Sequence, residues 1–278
     1  MTIETTYITL TDTSRNREIP VKIYEPKGEH LGTVIFSHGL GGSCESYQYI
    51  GEYFAAHGIK SIHPTHKGID AALLKEKRPF QVLKEAAEQQ INLVNPPLDI
   101  KFILDDFKLD NVGMAGHSFG SYTTFAVSGQ DVSKLGEDMD FADSRIKCAI
   151  AISPHAVLNS PENAYDEVKL PMLHITGKLD DSPFGFFNPI QRRIPYDNMT
   201  APDHYLIIFE HADHMVFAAQ RRGNKFSAHD VNVMKITCLA SLEFLKKYLL
   251  NTESELDTPE FFAKVSGLEN SIATFEKK

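Results

Sequence analysis

The sequence has few cysteines, no long apolar run and little basic charge. Abundance of any one of these would indicate a specialised class of protein. The chain has only three cysteines, Cys44, Cys148 and Cys238, which cannot all pair and have no metal-motif spacing. We therefore expect buried structural thiols in a reducing compartment. No apolar run approaches the roughly 20 residues that a membrane-spanning helix needs, and the N-terminus lacks the basic and apolar regions of a signal peptide. These absences predict a soluble, cytoplasmic protein with no membrane association.

Basic charge is the third scarcity. The chain has 28 Lys and Arg residues against 37 Asp and Glu residues, a net charge of −9. An acidic surface repels phosphate backbones and anionic lipid headgroups, so no nucleic-acid partner is predicted. Apolar residues (42%) and charged residues (23%) are present at ordinary globular levels, which excludes disorder and coiled coils. The 278 residues predict a single domain over 1–278, with a short insertion at about 129–145 and a C-terminal extension at about 251–278.

Short apolar segments alternate with helical patterns along most of the chain. Thr6–Leu10 and Ile19–Tyr24 predict an antiparallel pair of strands at the start. Later strand candidates are short, apolar and bounded by turn residues, at Thr33–Phe36, Ile59–His63, Asn111–Ala115, Lys147–Ile152, Met172–Thr176 and Tyr205–Phe209. This alternation predicts an α/β fold with a mostly parallel sheet of about eight strands and helices on both faces.

The helical patterns lie between those strands. Glu45–His57 carries one, and Arg78–Asn95 carries another, which Pro96-Pro97 should end before a further helix at Asp99–Phe107. A long amphipathic helix closes the core, with Asp230 as its expected N-cap. The charged C-terminal extension predicts a terminal helix or a frayed end.

A G-x-S-x-G motif occurs where an apolar strand runs into a helix, at Gly116-His-Ser-Phe-Gly120. So tight a strand-to-helix turn puts the serine in a strained conformation, and the two glycines remove Cβ atoms that would collide with neighbouring elements. The strain leaves the Ser118 hydroxyl projecting at the helix N-terminus. The motif in this context predicts that Ser118 is a catalytic nucleophile.

A serine nucleophile requires fixed N–H donors for the oxyanion that develops on the substrate. The segment His38-Gly-Leu-Gly-Gly42 follows the third strand, and its small residues let the main chain turn its N–H groups inward. The predicted donors are the N–H groups of Leu40 and Phe119. His38 is expected to brace this loop rather than to act as a base.

The acid should follow the serine in the chain, at the end of a later strand. Met172–Thr176 leads into Gly177-Lys-Leu-Asp-Asp, so Asp180 and Asp181 both qualify. Asp180 is favoured, because the glycine three residues before it lets the loop fold back toward the nucleophile. Asp181 suits a turn or a helix cap.

The base should come from the loop after the strand Tyr205–Phe209, where His211 and His214 compete. His214 is favoured because it directly precedes an apolar segment from which a side chain can lean over the sheet edge. Together with His63-x-x-His66, these histidines could be counted as four imidazole ligands. No carboxylate or thiolate has a matching spacing, so neither a metal nor another cofactor is predicted.

Four segments together resemble serine hydrolases of the α/β-hydrolase fold, within it the platelet-activating-factor acetylhydrolase-like and dienelactone-hydrolase-like esterases. They are Ser37-His-Gly-Leu-Gly-Gly, Gly116-His-Ser-Phe-Gly, Leu173-His-Ile-Thr-Gly-Lys-Leu-Asp and Ala212-Asp-His-Met-Val-Phe. The resemblance covers most of residues 20–250. It implies the α/β-hydrolase fold and a Ser-His-Asp triad. Serine in place of the cysteine of dienelactone hydrolases favours cleavage of a carboxylic ester.

The sequence thus predicts a serine esterase acting on a small-molecule ester through an acyl-enzyme. A peptidase or amidase with the same triad and a non-catalytic binding protein remain open, as does the oligomeric state. Phe184, Phe186 and Phe187 follow the acid loop and are candidates for a substrate pocket, and His66 is a candidate at its border. The insertion at about 129–145 has too few apolar side chains for a lipase lid, so acyl groups of about two to six carbons are expected.

Overall fold

A single mixed sheet forms the centre of the molecule in the computed structural model, which describes residues 3–136, 139–155, 163–221, 223, 225–266, 268 and 271–278. In that part of the chain it has nine strands: β1 (Ile3–Asp12), β2 (Arg17–Pro26), β3 (Gly32–Ser37), β4 (Ile59–Pro64), β5 (Val112–His117), β6 (Ile146–Ile152), β7 (Met172–Leu179), β8 (His204–Asp213) and β9 (Ile272–Lys277). Their order across the sheet is β1-β2-β4-β3-β5-β6-β7-β8-β9.

The sheet is parallel in its middle and antiparallel at its two edges. β4, β3, β5, β6, β7 and β8 run parallel to their neighbours in this series. β1 pairs antiparallel with β2, and β2 with β4, so the predicted parallel sheet with an antiparallel start is confirmed. The nine strands agree with the expected number of about eight. The additional strand, β9, pairs antiparallel with β8 and lies in the charged C-terminal extension, where no apolar alternation marks it.

Helices cover both faces of the sheet. They are α1 (Gln48–Ala56), α2 (Pro79–Glu88), α3 (Gln90–Asp106), α4 (Phe119–Val127), α5 (Ile194–Asn198), α6 (His214–Phe217), α7 (Ala228–Tyr248) and α8 (Pro259–Ser266). Apolar residues of α1, α7 and α8 share one core with Val34 and Phe36 of β3. Residues of α3 and α4 form the second core with Ile35. Within the described ranges, no helix combines the length and the hydropathy needed to cross a membrane.

The prediction that Pro96 and Pro97 end a helix is wrong. Both lie inside α3, and the break falls earlier, at Gln89, whose backbone is extended. Pro97 lacks the N–H that would bond to the carbonyl of Leu93, four residues earlier. The hydroxyl of Tyr122 in α4 donates to that carbonyl at 3.0 Å. A tertiary hydrogen bond therefore replaces a helical one, and the prolines are tolerated.

The N-cap of α7 is Ser227 and not Asp230, three residues later. The Ser227 hydroxyl accepts the N–H of Asp230 at 3.0 Å, and the Asp230 carboxylate accepts the N–H of Ser227 at 2.9 Å. This reciprocal pair is a capping box. The apolar periodicity places the helix correctly but cannot distinguish the two members of the box as its first residue.

The three cysteines are buried and free, which confirms the prediction of buried thiols. Burial raises the pKa of the thiols of Cys148 and Cys238. A raised pKa keeps a thiol protonated and unreactive at neutral pH. Cys148 and Cys238 therefore act as small apolar residues of the core.

Candidate active site

A cavity of about 380 Å³ lies at the carboxyl ends of the parallel strands. β3 leads into the loop that begins at His38, β5 ends one residue before Ser118, β7 ends one residue before Asp180, and β8 ends one residue before His214. Parallel strands deliver their carboxyl ends to one edge of a sheet, which is where open α/β sheets bind ligands. Leu40, Ser118 and His214 line the same cavity.

Ser118 has the strained backbone that the motif predicts, with φ 56° and ψ −117°. A side chain at Gly116 would approach the carbonyl oxygen of Gly120 to 2.1 Å, and one at Gly120 would approach that of Ser37 to 2.0 Å. Both glycines therefore permit β3, β5 and α4 to come this close. Such a conformation costs about 1–3 kcal/mol and is characteristic of functional sites.

Asp180, and not Asp181, lies against His214. Its Oδ1 is 2.7 Å from Nδ1 of His214, and its Oδ2 accepts the hydroxyl of Thr176 at 2.8 Å. Asp180 is fully buried, whereas Asp181 is exposed. His211 is also exposed, with its ring beside that of His229. The structure thus brings together the favoured member of each competing pair.

The contact between Asp180 and His214 depends on the close approach of the ends of β7 and β8. A side chain at Gly177 would lie 2.1 Å from the carbonyl oxygen of Ala212, so only glycine fits there. Asp213 then caps α6 by accepting the N–H groups of Met215 and Val216. The cap fixes the backbone of His214, the first residue of that helix.

The hydroxyl of Ser118 and the imidazole of His214 face one cavity without a direct hydrogen bond between them in the described part of the chain. Because Nδ1 of His214 is engaged by Asp180, its Nε2 is the nitrogen that remains for the cavity. Contacts between a hydroxyl and its base commonly tighten only when substrate is bound. The arrangement is therefore compatible with proton transfer from Ser118 to His214.

A fully buried guanidinium, Arg192, adjoins this pair. Its Nε lies 3.4 Å from Oδ1 of Asp180, and its Nη2 lies 3.2 Å from Nδ1 of His214. Burial alone would raise the pKa of Asp180, but the charge of Arg192 and the hydrogen bond to His214 lower it below its ordinary value. Asp180 is thus held as a carboxylate. Sequence reasoning missed Arg192, which stands beside Arg193 with no local signal to separate them.

The glycine-rich loop after β3 presents its main chain to the cavity. Gly41 has φ +78°, which a side chain rarely adopts, and its N–H donates to the carbonyl of Ile69 at 2.7 Å. Among the residues described, the N–H of Leu40 has no acceptor in the protein. Phe119 is the first residue of α4, where the N–H has no partner within the helix. Both predicted oxyanion donors therefore have N–H groups that could serve a ligand.

His38 and His66 hold the loop from behind. Nδ1 of His38 lies 2.7 Å from the carbonyl oxygen of Gly39, and its Nε2 accepts the N–H of His66 at 2.9 Å. Burial, followed by the nearby imidazole of His66, lowers the pKa of His38 to about 3. His38 is therefore neutral, with its proton on Nδ1. His66 is fully buried and does not line the cavity, so the suggestion that it borders the substrate pocket is not supported.

Tyr47 and His117 form a second contact to the loop. The hydroxyl of Tyr47 accepts the N–H of Gly39 at 3.1 Å and lies 2.8 Å from Nδ1 of His117. The ring of His117 lies 4.7 Å from that of His214. Burial, with the charges of His214 and Arg192, lowers the pKa of His117 well below its ordinary value. His117 is thus a neutral neighbour of the predicted base.

The three predicted pocket phenylalanines separate in the structure. Phe184 lines the cavity. Phe187 is buried with its ring 5.4 Å from the guanidinium of Arg192, and Phe186 lies outside the lining with its ring near Lys84. The apolar wall comes from the stretch after β4, for which the sequence predicts no role in the site and which contributes Leu74, Phe80 and Leu83. Only Phe184 of the three is placed to contact a substrate.

The predicted insertion at about 129–145 lies away from Ser118. It lines a separate opening of about 800 Å³ together with Glu167, Lys169 and Leu170. Residues 137 and 138 of the insertion fall outside the described ranges. Within those ranges, no group of three or more His, Cys, Asp or Glu side chains could hold a metal ion.

Comparison with known proteins finds a curated relative that covers most of this chain. No protein-family model matches the chain. A protein of Cavia porcellus named platelet-activating factor acetylhydrolase is 24% identical over 280 residues, covering 84% of this chain. The chain spans 61% of the length of that relative.

Two solved structures resemble the chain over most of its length. A ferulic acid esterase from Streptomyces cinnamoneus superposes with a TM-score of 0.63 at 16% identity, covering 92% of this chain and 93% of the esterase. A cold-adapted esterase from an Arctic intertidal metagenomic library gives a TM-score of 0.53 at 13% identity, covering 84% of this chain and 94% of that one. The chain has the α/β-hydrolase fold, as its motifs predicted.

Proposed function

We propose that the chain is a serine hydrolase that cleaves small carboxylic esters by a Ser-His-Asp triad. One observation carries the proposal. A strained Ser118 opens into a mainly apolar cavity that it shares with His214, whose Nδ1 lies 2.7 Å from the buried carboxylate of Asp180. A strained serine, a base and a buried acid at one sheet edge can act as the nucleophile, the general base and the orienting acid of acyl transfer.

In the proposed reaction, Nε2 of His214 takes the proton of Ser118 as its oxygen attacks the ester carbonyl. The N–H groups of Leu40 and Phe119 bind the oxyanion of the tetrahedral intermediate. Asp180 orients the imidazole and stabilises its cation. His214 then protonates the leaving alcohol, and a water molecule repeats the cycle on the acyl-enzyme to release the acid.

The cavity supports a substrate with a short or medium acyl group. Its volume of about 380 Å³ is near the lower end of the range for small-molecule sites. Leu40, Leu83 and Phe184 give it apolar walls against which an acyl chain can pack. The Cavia porcellus relative is named an acetylhydrolase, which also supports a short acyl group.

A combined labelling and turnover assay tests the proposal. A fluorophosphonate probe should label Ser118 alone, as located by peptide mass spectrometry. p-Nitrophenyl acetate and butyrate should be hydrolysed, and p-nitroanilides of the same acids should not. Turnover of anilides at a comparable rate would favour an amidase, and a folded protein with neither labelling nor turnover would favour a binding protein.

Acyl length is tested with p-nitrophenyl esters from acetate to palmitate. We expect kcat/KM to be highest between two and six carbons, since each methylene contributes about 0.8 kcal/mol only while the cavity has room for it. A maximum at octanoate or beyond would show that the acyl site is deeper than its volume indicates.

A further inference from the structure

Arg192 is the largest fully buried side chain in the described part of the chain, and the proposed mechanism leaves it without a role. It is the penultimate residue of the short 3-10 helix Pro189–Arg193. An arginine in a protein interior carries a large desolvation cost unless its donors are all used. The structure uses them at one place, around the Asp180–His214 pair.

The guanidinium joins two segments of main chain at the site. Nε donates to the carbonyl of Asp180 at 3.1 Å, and Nη1 donates to the carbonyls of Ser153 and Pro154 at 3.2 and 3.1 Å. Ser153, directly after β6, has φ 49°, so its backbone is held in the left-handed region. The loops that follow β6 and β7 are therefore tied together by a single side chain.

The same guanidinium faces the pair itself. Nη2 lies 3.2 Å from Nδ1 of His214, and Nε lies 3.4 Å from Oδ1 of Asp180. A fixed cation at this distance opposes a positive charge on the imidazole and partly neutralises the carboxylate that would stabilise that charge. Both effects favour the neutral imidazole, the form that can accept a proton from serine.

We propose that Arg192 is a positioning residue that fixes the loop of Asp180 and extends the activity of His214 to lower pH. This inference rests on the proposed function. It assigns to one buried cation both the geometry of the Asp180–His214 pair and the pH at which that pair becomes active.

The other ionisable groups near the pair do not obscure this effect. Burial, with the charges of Arg192 and of His214, lowers the pKa of His155 to about 3, and His117 is also neutral at physiological pH. Asp181 is exposed to solvent, and Asp213 forms an ion pair with Arg221 at 2.9 Å. Arg192 is therefore the buried charge whose removal should alter the pH profile.

The experiment compares Arg192→Gln, which removes the charge, with Arg192→Lys, which keeps it. Arg193→Gln is the matched control, because Arg193 pairs near the surface with Asp197 and Glu276. The measurement is kcat/KM for p-nitrophenyl acetate between pH 5 and 9. Arg192→Gln should move the acid limb of the profile upward by about one pH unit. Arg193→Gln should leave it unchanged.

Arg192→Lys should keep the position of the acid limb and lower the plateau at least fivefold through kcat, since an ammonium cannot bridge three carbonyls. This variant alone tests the inference if Arg192→Gln does not fold. The inference would be overturned if Arg192→Lys had the same plateau and the same acid limb as Arg193→Gln. It would also be overturned if a folded Arg192→Gln protein had the acid limb of the wild type. A wild-type protein that is neither labelled at Ser118 nor active would instead overturn the proposed function and the inference together.

Discussion

The molecule contains a second arrangement of serine, histidine and aspartate, in its core. We call it the buried set: Ser37, His66 and Asp99. Oγ of Ser37 lies 3.0 Å from Nε2 of His66, and Nδ1 of His66 lies 3.0 Å from Oδ2 of Asp99. All three residues have no exposed surface. Arg17 makes two hydrogen bonds to Asp99, at 2.7 and 2.9 Å.

The cavity set, Ser118, His214 and Asp180, has the same residue types and likewise a guanidinium on its aspartate. It differs from the buried set in access and in backbone. Its serine faces a cavity and has φ 56°, whereas the serine of the buried set lies at the end of a regular strand with no space beside it. A serine–histidine–aspartate series of contacts therefore does not by itself identify a catalytic triad. The serine must also face a cavity and have a strained backbone.

The buried set serves the cavity set indirectly. Ser37 directly precedes the glycine-rich loop, and the N–H of His66 donates to His38 in that loop. Asp99, in α3, lies 3.0 Å from Nδ1 of His66 and so ties that histidine to the helix. The buried set thus anchors the loop that carries the proposed oxyanion donor Leu40, and its loss should affect stability more than chemistry.

The sharpest test of this comparison substitutes the two serines. Ser118→Ala should lower kcat by about 10⁴-fold or more and abolish fluorophosphonate labelling, since triad members act as a unit. Ser37→Ala should keep kcat/KM within about fivefold of wild type. It should lower the free energy of unfolding by about 1–3 kcal/mol, because a buried imidazole nitrogen loses its partner. Turnover assays and urea titrations measure both effects. A folded Ser37→Ala protein without labelling would reverse the assignment.

Substitutions of His214 and His66, the histidines of the two sets, provide the second test, with His211 as a control. His214→Ala should abolish most turnover, and His211→Ala, which changes an exposed residue, should preserve it. His66→Gln should lower Tm while keeping kcat/KM within about tenfold of wild type. For the wild type, kcat/KM should fall on acidification, since an imidazolium cannot accept the serine proton. Loss of turnover in His211→Ala alone would transfer the role of base to His211.

Sequence reasoning reaches one of these two sets and not the other. The strand-to-helix setting of Ser118 and the strand ends before Asp180 and His214 are local signals, so the elements and the candidate residues could be predicted together. Asp99 lies in the middle of α3, and Arg192 lies in a short 3-10 helix beside Arg193. Their partners are 33 and 12 or more residues away in the chain. No local pattern indicates that the charged side chains of Asp99 and Arg192 are buried. Their contacts can therefore be identified only in the folded structure.

Two features of the fold that the sequence does not indicate also depend on distant contacts. β9 is recognisable as a strand only through its pairing with β8. Pro97 is tolerated in α3 only because Tyr122 satisfies the freed carbonyl. Each depends on a partner far away in the chain, whereas the confirmed elements depend on their own periodicity.

Acid should destabilise the protein through its buried imidazoles. Burial lowers the pKa of His38 and of His63 to about 3. Between pH 6.5 and 3 the unfolded chain therefore binds more protons than the folded chain, and the free energy of unfolding falls as pH decreases through that window. Each such histidine contributes up to about 1.4 kcal/mol per pH unit. Urea titrations at pH 7.5, 6 and 5 measure the slope.

A matched pair of variants assigns that slope to buried imidazoles. His63→Gln should flatten it by removing one group that titrates only on unfolding, and the exposed His211→Gln should not. Equal slopes for the wild type and His63→Gln would contradict the explanation. An unfolding free energy that rises between pH 6.5 and 5 would contradict its sign.

The smallest expected effect concerns the rim of the cavity. The buried set has no cavity and therefore no such rim. Phe80 is 68% exposed yet lines the cavity, whereas Ile190 is 79% exposed and does not. Phe80→Ala should raise KM for p-nitrophenyl hexanoate about two- to fivefold and leave KM for the acetate unchanged, because only the longer chain reaches the rim. A contact with so exposed a side chain contributes only a fraction of the roughly 0.8 kcal/mol per buried methylene. Ile190→Ala should change neither ester. If both variants weaken hexanoate equally, the rim acts as a general apolar surface, and if neither does, the acyl group lies deeper, against Leu83.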